Sequence, residues 1–453
     1  MSKNSPNYIS TTNACKLCTP LGATLAFKGI EGAVPYLHGS QGCATYMRRY
    51  IISHFNEPID IASSSLSEKH AVYGGGANLK LGLMNVTLKY RPKLIGIATT
   101  CLTETIGDDV KMFLKEYDKE VEGEKPTMVE VGTPSYNGTH MEGFHNAVAS
   151  VVDTLAGTDG EGKKGGGVNI MPGFISPADI RYLKEVAEDY SVKTTILPDI
   201  SDTMDGQAAR KYEKIQPGGT PLSAIATMGN AMASIEFGHT MSDESGGTIL
   251  AKKFGVENMR IPQPIGIRAS DQFFSHLTKL TGSPVPEKHR AERGRLVDAY
   301  VDGHKYIYGK KAIVYGEEDL VVGLTAFLAE IGVMPILCAS GGKSGKFAEK
   351  IAEATKDLLP EQPQVHEGMD FYDISELAES LKPDLLVGNS KGYHLAQKLS
   401  IPLIRAGFPI HDRMGGQRIL HLGYRGAQQL FDLVVNTCIA KKQSDSPIGY
   451  SYM

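Results

Sequence analysis

No stretch of the 453-residue chain strings together the ~20 apolar residues that a membrane-spanning helix requires, so a role inside a bilayer is excluded on sequence grounds. Runs of like charge are also missing. The Lys and Arg residues are scattered among acids and the net charge is only −4, which leaves no electrostatic footprint for nucleic acid. The opening Met1-Ser-Lys-Asn-Ser-Pro has neither an apolar signal region nor a basic amphipathic pattern, so the expected location is the cytoplasm. Cysteine is scarce: Cys15, Cys18, Cys43, Cys101, Cys338 and Cys438 are too few for a disulfide framework. In a reducing compartment such residues are metal ligands, redox groups or buried thiols. Their distribution is uneven, with four before residue 102.

What is present is an ordinary globular composition, 41% hydrophobic and 22% charged, in a chain longer than the ~250–300 residues at which one core stops growing. Short β-branched runs alternate with longer amphipathic stretches, which predicts βαβ units and mainly parallel sheets. The expected fold is therefore α/β with three Rossmann-like domains, placed at 1–160, 166–305 and 306–453. In the first, the pattern predicts strands at Lys93–Thr100 and Thr127–Val131 and helices at Glu104–Tyr117 and Met141–Leu155. The segment Gly157–Gly167, with six glycines, is the expected linker. The second domain opens with a strand at Val168–Met171, a helix starting at Pro177 and a strand at Lys193–Leu197, and ends in a connecting helix, Glu287–Tyr306. In the third, strands are predicted at Lys311–Tyr315, Val333–Cys338 and Asp384–Val387, with a terminal helix over Gly426–Lys441.

Three of the early cysteines share a setting. Cys18 precedes Thr19-Pro20, a good cap and first helical residue. Cys43 ends the glycine-rich turn His38-Gly-Ser-Gln-Gly-Cys43, and Cys101 follows the strand ending in Thr100, where ligands gather in open α/β sheets. Thiols near the positive ends of helices favour thiolate and an anionic inorganic cluster. The spacings lack the tight pairing of ferredoxin or zinc-ribbon sites, so any further ligands would come from a second chain. Spacing alone leaves two readings open, metal ligation and buried thiols.

In order and context, these residues resemble the nitrogenase component-1 superfamily, meaning the molybdenum-iron protein β-chains and their biosynthetic relatives. The likeness includes Cys18-Thr-Pro-Leu-Gly-Ala, His38 to Cys43, Ser53-His-Phe-Asn-Glu-Pro58, Gly74-Gly-Gly-Ala-Asn78, Thr99-Thr-Cys101 with Gly107-Asp-Asp109, and Thr133-Pro-Ser135. It continues through Gly407 to Arg413 and Gly423-Tyr-Arg-Gly426, nearly the whole chain. Within that family the segments Ser53 to Ser65 and Arg413 to Tyr424 are most similar to the NifN branch. That branch implies a non-catalytic subunit of the scaffold on which the iron-molybdenum cofactor is matured. An interface 4Fe-4S cluster would lie beside a cofactor precursor held mainly by a NifE-like α-type partner, in an α2β2 heterotetramer. An iron protein of NifH type and a NifB-like cofactor donor would be further partners. Catalytic β-chains instead ligate an eight-iron (8Fe-7S) P-cluster through three cysteines and a serine, and Cys18, Cys43, Cys101 and Ser135 stand at all four matching positions. A catalytic β-subunit is thus the alternative that the resemblance implies.

Other features are read more plainly. Ser340 to Lys346 lacks the first glycine of a phosphate loop and is expected to be a strand-to-helix turn. Asp108 and Asp109 are expected to solvate or cap rather than act as an acid pair. His38 and His54 are read either as hydrogen-bond donors to cluster sulfur or as satisfied structural histidines. Cys338 and Cys438 fall in apolar patterns and are expected core thiols, and Arg48-Arg49 a solvated helix face.

Overall fold

The runs Ala33–His38, Leu94–Thr99, Val168–Met171, Ala233–Phe237 and Leu385–Gly388 are buried along their whole length, as parallel strands covered by helices must be. The computed structural model describes residues 13–158, 165–208 and 211–448, and within them thirteen strands form three sheets in which every strand pair is parallel. The first sheet holds β1 (Ala33–His38), β2 (Ala62–Ser63), β3 (Leu94–Thr99) and β4 (Thr127–Val131) in the order β2-β1-β3-β4. The second holds β5 (Val168–Met171), β6 (Thr194–Ile196), β7 (Ala233–Phe237) and β8 (Glu257–Ile261) in the order β6-β5-β7-β8. The third holds β9 (Lys311–Gly316), β10 (Met334–Ser340), β11 (Gln364–His366), β12 (Leu385–Gly388) and β13 (Leu403–Arg405) in the order β11-β10-β9-β12-β13.

In each sheet the strand order reverses once, and an open parallel sheet carries a crevice at the carboxyl ends of the strands flanking that reversal. In the first sheet the reversal lies between β1 and β3. Their last residues, His38 and Thr99, are register partners. The chain leaves β1 toward Cys43 and β3 toward Cys101, so two cysteines distant in sequence depart from adjacent strand ends.

The expected helix Glu104–Tyr117 is two helices, Cys101–Ile106 and Val110–Glu120. Gly107 takes a left-handed conformation (φ 75°) that ends the first, and the Asp109 carboxylate accepts from Met112 N–H (2.9 Å) to start the second. Of the expected linker, residues 159–164 lie outside the described residues; Gly165 and Gly166 both donate to Asn230 O. The connecting helix spans Glu287–Ile307 and packs on the terminal helix, Gly423–Asp445. No described helix is long and apolar enough to cross a membrane.

Candidate functional site

Cys18 is the N-cap of the helix Thr19–Lys28, with Pro20 in its first turn. That helix crosses the helix His140–Leu155 at two glycines. A Cβ on Gly22 would sit 1.6 Å from His140 O and one on Gly143 1.9 Å from Thr19 O, so the backbones touch and Cys18 is held rigidly. The N–H of His140 donates to Leu17 O at 3.0 Å, fixing the residue before it. Lys391, from the third-sheet region, donates from Nζ to Ala14 O (2.6 Å) and Lys16 O (3.3 Å), clamping the same segment from the other side.

Cys43 stands in the first turn of the helix Gln41–Phe55, and Ser40 Oγ donates to its Sγ at 3.5 Å. Gly39 has no room for a side chain, since a Cβ there would be 2.2 Å from Thr100 Oγ1. Cys101 is the first residue of its helix, where Thr100 N–H donates to Thr103 Oγ1 at 3.0 Å. Ser135 joins the thiols. Its N–H donates to Cys101 Sγ (3.3 Å), its Oγ accepts from Thr19 N–H (3.2 Å), and its side chain also bonds Cys18.

Cys18 and Cys101 are exposed and Cys43 is partly exposed, on one face. The Cys18 pKa is raised, chiefly because the surrounding protein partly desolvates the thiol although one side of it is open; the neighbouring Cys101 and Cys43 add to the rise while Ser135 and Lys16 oppose it. Cys18 therefore senses both neighbouring sulfurs, with only Lys16 as cationic relief. A cationic iron centre among them would displace their protons and reverse that penalty. Among the described residues no three His, Cys, Asp or Glu side chains close around a single metal ion. Thiols and a hydroxyl spread across an open face fit a polynuclear iron-sulfur group, with its other positions filled from outside the chain. A cavity of about 360 Å³ opens beside them, lined by Lys16, Cys18, Tyr46, Tyr50, Ser135 and Lys391.

The remaining residues singled out in the sequence fall elsewhere. Cys15, Cys338 and Cys438 are buried, and burial pushes the first two up to about 12, as inert core thiols require. His54 is structural: its Nδ1 accepts from Ile410 N–H at 2.9 Å. His38 touches no sulfur and bonds Ser64 and Asp108 instead. Asp109 caps as expected. Asp108 does not solvate, because its side chain is 4% exposed and paired with His38. Ser340 to Lys346 is the plain turn between β10 and the helix Phe347–Ala354. Arg48 meets Asp60 at 3.7 Å in an exposed pair. Sequence reasoning missed Lys391, and Tyr50 with His411, whose rings meet edge-on at 5.4 Å beside the Cys18 cavity. No local pattern signals residues brought in from so far along the chain.

Three parallel sheets, with Cys43 and Cys101 leaving adjacent strand ends at the first switch point and Cys18 beside them, define an α/β protein with a thiol-bearing exposed face. A sequence model described as "Nitrogenase component 1 type Oxidoreductase" matches residues 18–439, and the chain belongs to that family. It is 35% identical over 430 residues to the nitrogenase molybdenum-iron protein beta chain of Clostridium pasteurianum, covering 95% of this chain and 93% of that one. The beta chain of Methanococcus maripaludis is 36% identical over 441 residues, covering 95% and 94%. That of Azotobacter vinelandii is 34% identical over 461 residues, covering 96% and 86%. Among solved structures, the one titled "Nitrogenase Cp1 at pH 6.5" superimposes with a TM-score of 0.95 at 33% identity, covering 100% of this chain and 98% of that one.

Proposed function

We propose that this chain is the β-type subunit of a NifEN-type scaffold. It would hold an interface iron-sulfur cluster on Cys18, Cys43 and Cys101 and relay electrons to a cofactor precursor carried mainly by an α-type partner. The observation that carries this reading is the convergence of the three thiols on an open face, backed by the two segments most similar to the scaffold branch. Those segments pack on each other: Gln417 Nε2 donates to Phe55 O at 3.0 Å, and just before the second segment His411 Nδ1 lies 2.7 Å from Ser53 Oγ. His411 in turn abuts Tyr50 on the cluster-side helix. The exposed thiols leave cluster positions for a NifE-like chain in an α2β2 assembly, with an iron protein as electron donor and a NifB-like protein as cofactor source, all in the cytoplasm.

A second reading, a catalytic β-subunit with an eight-iron cluster, is favoured by the Ser135 side chain bonding Cys18 while its amide bonds Cys101. The names of the relatives above support it too. Iron analysis and EPR on the anaerobically purified complex, reduced with dithionite and then oxidised stepwise, tests both. About four irons per interface site with a signal in the reduced state supports the scaffold. About eight irons, silent when reduced and paramagnetic on oxidation, makes the chain a catalytic subunit. A colourless complex without iron overturns both.

A further inference from the structure

The end of β1 carries a buried polar chain that the cluster-holding residues do not themselves use. His38 is 0% exposed. Its Nε2 lies 2.9 Å from Asp108 Oδ2 and its Nδ1 3.0 Å from Ser64 Oγ. Burial holds the His38 pKa below its ordinary value against the pull of Asp108, so the ring is neutral near pH 7. The neutral ring donates from Nε2 to the Asp108 carboxylate and accepts at Nδ1 from the Ser64 hydroxyl. Ser64 Oγ also accepts from Gly39 N–H at 2.9 Å, and both Asp108 oxygens accept from Gly75 N–H at 3.1 Å. Thr103, in the helix that Cys101 begins, donates from Oγ1 to His38 O at 2.9 Å.

Each end of this chain is a cysteine support. Gly39 and Ser40 lead directly into Cys43, whereas Asp108 closes the turn after the Cys101 helix and donates from its N–H to Thr103 O. The packing leaves no slack: a Cβ on Gly75 would lie 2.6 Å from Asp108 Oδ2 and 2.8 Å from His38 Cε1. The Asp108 carboxyl is thus buried between the supports of Cys43 and Cys101, in a medium of low dielectric where a charge acts over longer distances than in water.

We infer that Asp108, acting through His38 and Ser64, is a positioning residue that sets the separation of Cys43 from Cys101 and lowers the reduction potential of the cluster they hold. The inference rests on the interface-cluster reading above. None of the three side chains ligates iron.

Two variants, made in the complex with its α-type partner, separate charge from position. Asp108→Asn keeps the shape and removes the charge. It should retain wild-type iron while the midpoint potential of the interface cluster, followed by EPR-monitored redox titration, moves positive. His38→Gln keeps the charge and loses the bond to Ser64. It should hold a near wild-type potential but release iron several-fold faster to the chelator bathophenanthroline disulfonate. An iron-replete Asp108→Asn complex with an unchanged midpoint overturns the electrostatic role. Unchanged chelator release in His38→Gln overturns the positioning role. Should Asp108→Asn fail to accumulate, Ser64→Ala carries the test, because it frees the Gly39 amide: faster release supports the proposal and wild-type release overturns it. A wild-type complex without iron would instead overturn the cluster reading and leave the hydrogen-bond chain purely structural.

Discussion

Ser135 donates its backbone N–H to the sulfur of Cys101 at 3.3 Å, although the two residues lie at the ends of adjacent strands, β4 and β3. The bond comes from the main chain, so it survives any substitution of the serine except proline, which lacks the N–H. The Oγ is what distinguishes the two functional readings.

Ser135→Ala removes the acceptor of Thr19 N–H and a partner of Cys18. The cost to stability should be about 1 kcal/mol, typical of one lost hydrogen bond. On the scaffold reading, iron content and the EPR of the reduced complex stay as in wild type. A selective change in the oxidised states would assign Ser135 as a ligand and make the cluster the larger one.

Cys43→Ala should strip iron from the interface and loosen the heterodimer, since this thiol stands at the first switch point, partly exposed and bonded by the Ser40 hydroxyl. Iron analysis with size-exclusion chromatography checks it. Full iron content and normal assembly would refute the assignment of this ligand.

Gly143→Ala drives a methyl group into the Thr19 carbonyl. Overpacking of this kind costs typically ~1–3 kcal/mol, and here it also displaces the residue after Cys18. Denaturant unfolding should show the loss in stability, and the cluster of the surviving protein should be more labile to chelation. Gly123→Ala, with open space around its Cβ, would show neither the steric clash nor the lability, only the strain of its positive φ.

Glu318 supplies a pH dependence. Burial, with help from Glu367 and Glu142, raises its carboxyl from 4.5 to about 7 against the hydrogen bonds from Ser344. The folded chain therefore binds more protons than the unfolded chain between those values, and stability falls as pH rises from 4.5 through 7. Glu318→Gln removes that slope. It should be ~1–3 kcal/mol more stable than wild type at pH 8 and equal to it near pH 4, as judged by urea midpoints. Equal midpoints at both pH values would disprove the assignment.

The strands that the sequence revealed most directly are those built from unbroken β-branched or apolar runs, such as Lys311–Gly316 and Val168–Met171. Strands β1 and β7 were hidden, the first by Pro35 and the second by Glu236. That glutamate is buried at 2% exposure and is satisfied by Ser245, Gly247 and Asn258, partners no local pattern reveals. The thiols were legible individually because each sits at a strand-to-helix or loop-to-helix junction. Their meeting on one face depends on strand order, which periodicity does not encode. Asp108 misled for a related reason: an acid beside another acid reads as solvated until tertiary structure delivers an imidazole to it.

The Lys391 clamp has a consequence for the order of events in the cell. The segment bearing Cys18 is pinned by an ammonium group that lies 375 and 377 residues later in the chain. A ribosome therefore releases Cys18, Cys43 and Cys101 long before the last wall of their site exists. On the interface-cluster reading, iron delivered during synthesis would meet a loose set of thiols, and metallation would follow translation, once the third sheet has folded back onto the first.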